Sequence, residues 1–117
     1  MTYKMDWQYG TGQMEVVQPL PSSVTPITEA QCLIEVDTSL CTAATSPTFT
    51  LPAAADNRGR IIIFRKVIDA GTAQARLSRG GADTIDYTAS SIGLAGANAS
   101  TMVVSDGVSS WIQVMSN

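Results

Sequence analysis

From residue 30 onward, turn-forming residues recur about every ten positions, and the stretches between them alternate or run β-branched with no convincing helical period. That spacing restricts the chain to short strands joined by tight connections. It predicts strands over 32–37, 47–51, 60–66, 73–78, 84–87, 91–94, 100–105 and 110–115. Asp106-Gly107 is a strong turn signal, so the last two strands should form a hairpin. The Ala-rich stretches 53–55 and 95–97 are flanked by Pro, Gly and Asn and read as loops. The expected fold is all-β, a small antiparallel β-sandwich or barrel of jelly-roll type.

Residues 60–66 form an Ile-rich run flanked by charge, which suits a strand covered on both sides. The expected core takes Leu33, Ile34, Val36, Phe49, Leu51, Ile61, Ile63, Leu77, Ile85, Leu94, Met102, Val104, Trp111 and Ile112.

Residues 1–25 read differently. Pro19, Pro21 and Pro26 forbid a helix interior and disfavour a central strand, while Tyr3, Trp7 and Tyr9 sit among glycines. An extended, irregular N-terminal arm over 1–25 is expected, followed by a β-domain over 26–117. Large aromatics are favoured interface anchors, which makes Tyr3, Trp7, Tyr9 and Met14 candidate partner contacts. The other reading has the arm folding back over its own domain.

The chain of 117 residues holds one domain. Only 15% of its residues are charged, well below the usual quarter, so either a partner covers much of its surface or Ser, Thr and amides keep it soluble. A net charge of −3 argues against a nucleic-acid binder. No apolar run is long enough to cross a bilayer as a helix, and the first residues lack the apolar core of a signal peptide. Synthesis and folding in the cytoplasm are expected. Basic residues cluster after Asn57, which makes Arg58, Arg60 and Arg65 candidates for a charged contact face; ordinary solvated charge is the alternative.

No catalytic set is visible. The chain has no histidine, the usual general base and metal ligand. Cys32 and Cys41 are too few for a zinc site or disulfide framework and are expected to be reduced. A bridge across a hairpin turning at residues 37–39 is the lesser alternative. Asp83 and Asp86 match no calcium loop and fit turn-capping roles. No cofactor, metal or enzymatic activity is expected.

The order of short motifs carries a resemblance. Leu51-Pro52, a turn from Asn57 to Gly59, Ile61 to Phe64, Gly71, Thr84-Ile85, Ser105-Asp106-Gly107 and Ser110-Trp111 follow one another over a little more than half the chain. The pattern resembles β-domains of bacteriophage structural proteins, found in tail fibres, receptor-binding tips and capsid decoration proteins, commonly as trimers. With no long repetitive shaft before the β-domain, the chain is most similar to a capsid decoration, or cement, protein. The resemblance implies a homotrimer on the capsid surface of a virion, docked on the major capsid protein. A tail-fibre or receptor-binding tip that binds host surface glycan through residues 80–83 or 96–99 is the alternative it implies.

Overall fold

The computed structural model describes residues 2–7, 10–28, 31–68 and 73–116. Strands β1 (Thr2–Trp7), β2 (Gly10–Val17), β4 (Gln31–Asp37), β6 (Ile61–Ile68), β8 (Thr84–Ile85), β10 (Ser100–Ser105) and β11 (Ser110–Ser116) belong to one sheet. Strands β3 (Val24–Pro26), β5 (Thr48–Thr50), β7 (Ala75–Ser78) and β9 (Ser91–Leu94) belong to the other. Their orders are β1-β2-β4-β6-β10-β11-β8 and β3-β5-β7-β9.

The all-β expectation of two packed sheets holds and its jelly-roll form is broadly consistent with the structure, but the pairing is not purely antiparallel. From β2 to β7 the chain alternates between the sheets, so β2, β4 and β6 run parallel in one and β3, β5 and β7 run parallel in the other. This winding is solenoid-like. Antiparallel pairing enters where β9 joins β7, β10 joins β6 and β11 joins β10. Turn residues signal a change of direction equally well for a hairpin and for a step to the opposite sheet, so sequence alone favours the commoner hairpin.

The segment expected to be irregular is largely paired. β1 and β2 form an antiparallel hairpin, β2 pairs with β4, and the expected boundary at 25/26 falls inside β3. The prolines fit this arrangement. Pro19 and Pro21 lie in the β2–β3 connection, and Pro26 ends an edge strand, where a missing N–H costs no ladder bond.

Between the sheets lie Ile34, Val36, Phe49, Leu51, Ile62, Phe64, Leu77, Ile85, Val103 and Trp111, all at most 2% exposed. Phe49 and Phe64 meet edge to face with ring centroids 5.3 Å apart, joining the sheets at the centre. The expected core is therefore correct on β5, β7 and β8 but out of phase on β6 and β10. Ile62, Phe64 and Val103 point inward, and Ile61, Ile63, Met102 and Val104 point outward with Leu33 and Ile112. A shift of one residue exchanges every side chain between faces, and apolar residues on both faces leave the phase unmarked in the sequence.

Lys66 lies on the inner face of β6 and is fully buried. Its ammonium donates to the carbonyls of Ala73 at 2.7 Å and Ala95 at 2.8 Å, holding the connections after β6 and β9 against the core. Gly80 is needed for a close approach, since a Cβ there would lie 2.5 Å from the Leu51 carbonyl oxygen. Gly80→Ala should lower the thermal midpoint by several degrees, a shift of about 1–2 kcal/mol for a domain of this size, measured by calorimetry.

Candidate interaction surface

Several of the motifs that carry the resemblance converge in space, while Gly71 lies outside the described residues. The Trp111 indole N–H donates to the Pro52 carbonyl at 3.0 Å, and the Ser105 hydroxyl donates to the Ala54 carbonyl at 2.7 Å. Asp83 accepts the Ala54 amide at 2.8 Å, and Asp86 accepts the Gln113 amide at 2.8 Å. Both carboxylates thus act as turn supports, and this cluster uses its polar groups to fasten the Leu51-Pro52 loop to the final hairpin.

Asp106 completes that fastening. One carboxylate oxygen accepts the amides of Val108, Ser109 and Ser110 at 2.8–3.0 Å, while Gly107 takes a φ of +77° that favours glycine. The amides of Ser110 and Val108, helped by Ser109 and the Tyr87 side chain, hold the carboxyl below its ordinary value against a smaller opposing effect of desolvation. Because the folded pKa is depressed, this contribution is present above the unfolded value and is lost as pH falls through the folded one. Asp106→Ala should therefore lower the thermal midpoint at neutral pH and flatten its decline below about pH 4, as a pH series of melting curves would show.

Of the candidate arm residues, the β1–β2 hairpin makes Tyr3 and Met14 cross-strand partners. Tyr3 and Trp7 are on β1, where their side chains lie outside what is described, and Tyr9 lies outside the described residues. Met14 is on β2, partly buried, as the cross-strand partner of Tyr3 on one side and Leu33 on the other.

The arginines do not form one face. Arg60 stands just before β6 with its guanidinium donating to Asn57 Oδ1 and to the carbonyls of Thr28 and Gln31, a clamp within the chain. Arg58 is exposed in the preceding turn and its stem lies against Gly107. Arg65 lies toward the far end of β6, on the outer face, beside Glu35 of β4 and bonded to Asn98 at 3.0 Å. Sequence proximity misleads here because five residues of strand separate Arg60 from Arg65 by about 16 Å. Cys32 and Cys41 are not joined to each other in a disulfide, and burial pushes the Cys41 thiol up.

What the sequence reading missed is a surface. Strand register aligns Met14, Leu33, Ile63, Met102 and Met115 in one row across β2, β4, β6, β10 and β11. A second row holds Ile61, Val104 and Ile112. These side chains point away from the four-stranded sheet, six of them partly buried, with Ile61 48% and Met115 62% exposed. Near the end of this field Glu35 and Arg65 are direct cross-strand neighbours. The signal for it was present in residues 60–66, whose two apolar faces require two coverings.

A separate cleft of about 680 Å3 opens beside β9, lined by Ile92, Leu94, residues 95–99, Gln113 and Ser116. Asn98 holds a φ of +61° there, and its side-chain oxygen accepts from Arg65. Comparison with protein-family models finds no match, and comparison with curated proteins finds none either.

Proposed function

We propose that this chain is a structural protein of a bacteriophage virion that decorates and stabilises the capsid, acting as a homotrimer docked on the major capsid protein. The apolar outer face of the larger sheet is the observation that carries this reading. A sheet face of that kind fits an assembly surface, since the largest apolar patch of a monomer is often functional. The low charge content agrees with a chain that spends its working life largely covered. Added interface area favours the assembled shell over its separated parts by mass action. The motif order supplies the phage assignment and the trimer.

Within this reading the β1–β2 hairpin, at the edge of the larger sheet, is the shell-docking element. Trp7→Ala should weaken capsid binding about 30-fold or more, as loss of an aromatic anchor does, in a co-sedimentation titration. Unchanged binding would remove the hairpin from the docking role. The broader test is the amount of this protein in purified virions relative to the major shell protein. Comparable copy numbers support decoration, and complete absence ends the virion reading.

The cleft beside β9 favours a second reading, a receptor-binding tip for host surface glycan, because residues 96–99 line it. A few copies per particle together with direct binding to host polysaccharide would move the function there.

A further inference from the structure

We propose that the outer face of the seven-stranded sheet is where copies of this chain pack on one another, with Leu33, Ile63 and Met102 at the buried centre and Glu35 of one copy meeting Arg65 of the next. This rests on the self-assembly part of the function proposed above and names the surface that performs it.

The choice of a second copy follows from three properties of the face. The first is size. Five strands at about 4.8 Å spacing and the five residues of strand from the Ile61 row to the Arg65 row, at about 3.3 Å each, give a face on the order of 400 Å2 in plan, apolar in its first two rows and charged in its last. Side-chain relief and the rim around it bring the accessible area to about 600 Å2 per partner, where specific interfaces begin.

The second is charge. Glu35 and Arg65 lie side by side on adjacent strands, so the face carries both members of a complementary pair. Two copies related by symmetry place each acid against the other copy's base, whether the pair is exchanged across a two-fold axis or alternates around a three-fold axis. An anionic membrane surface needs clustered bases, and this face offers a neutral pair instead.

The third is the strand itself. Ile61, Ile63 and the inward Ile62 and Phe64 make β6 apolar on both faces, the composition of a strand buried on both sides. The four-stranded sheet supplies one cover. A copy of the larger sheet, packed at the usual spacing of about 10 Å, supplies the other with matching Met, Leu and Ile side chains that interdigitate.

The test is sedimentation equilibrium of the full chain from about 1 to 100 µM. The wild type should exceed the monomer mass of 12.3 kDa as a whole multiple of it. Ile63→Asp should keep its circular dichroism spectrum and weaken association at least 100-fold, since a carboxylate would be trapped in an apolar contact. Should Ile63→Asp fail to fold, a mixing experiment takes its place. Glu35→Arg and Arg65→Glu chains should each associate at least tenfold more weakly than wild type, and an equimolar mixture should recover association through unlike copies.

A monomeric wild type at 100 µM overturns the proposal, as does wild-type association by a folded Ile63→Asp chain. A mixture no better than either component does the same. The virion reading fails separately: a chain abundant in virions yet monomeric in solution keeps decoration and loses this interface. A self-associating chain absent from virions does the reverse.

Discussion

Replacing Trp111 by alanine is expected to leave little or no stable fold at 37 °C. The side chain is fully buried on β11, and its N–H donates to the Pro52 carbonyl. Removing a buried Trp costs about 3–5 kcal/mol, and the lost hydrogen bond to a partly buried carbonyl adds about 1. Domains of this size are stable by about 5–15 kcal/mol, so the loss consumes most of a modest reserve. Trp111→Phe separates the two effects, because it keeps an aromatic ring in the core and loses only the donor; a decrease of about 1–2 kcal/mol is expected. Urea denaturation of the three proteins measures the differences. A loss below about 1 kcal/mol for Trp111→Ala would contradict the role given to this residue.

The second large effect separates neighbours on one strand. Phe64→Ala should cost about 3–5 kcal/mol, because the ring is fully buried against Phe49. Ile63→Ala, one residue away on the outer face, should cost less than about 1 kcal/mol at concentrations low enough to keep the chain monomeric. At concentrations that favour assembly the Ile63→Ala deficit should grow, since its partner surface is another copy. Denaturant titrations at two protein concentrations check both statements. A larger loss from Ile63→Ala than from Phe64→Ala would mean that β6 is registered in the opposite phase.

That pair also shows where sequence reasoning stops. Strand positions are legible because β-branched runs and turn residues act locally: the expected final hairpin at Asp106-Gly107 forms, with β10 and β11 on either side. Phase on β6 and β10 is not legible. Ile61, Ile62, Ile63 and Phe64 have similar transfer free energies, and what orients them is the position of β5 and β7 across the core. Parallel pairing is equally non-local, since Leu33 and Ile63 become neighbours only after the chain has crossed to the smaller sheet and returned. Arg60 gives the same lesson for the site: nothing in its neighbours reveals that the carbonyls of Thr28 and Gln31 will receive its guanidinium.

The ambiguous strands and the uncovered surface have one origin. The residues expected in the core but found outside it, Leu33, Ile61, Ile63, Met102, Val104 and Ile112, are six of the eight that make up the outer apolar field. Hydrophobicity at those positions is explained once a second cover exists. As a lone chain the molecule leaves Ile61 and Met115 in water while burying Lys66 in its interior. As part of an assembly it satisfies both faces of β6.

Methionine oxidation mapped by mass spectrometry tests this most directly, because Met14, Met102 and Met115 lie in one row of the face and a thioether reports its own solvent access. At concentrations that favour assembly, Met102 and Met115 should oxidise about tenfold more slowly than in dilute solution, and Ile63→Asp should abolish that protection. Equal oxidation rates at every concentration, with Met115 as reactive in concentrated wild type as in the variant, would contradict the claim that another copy covers this face.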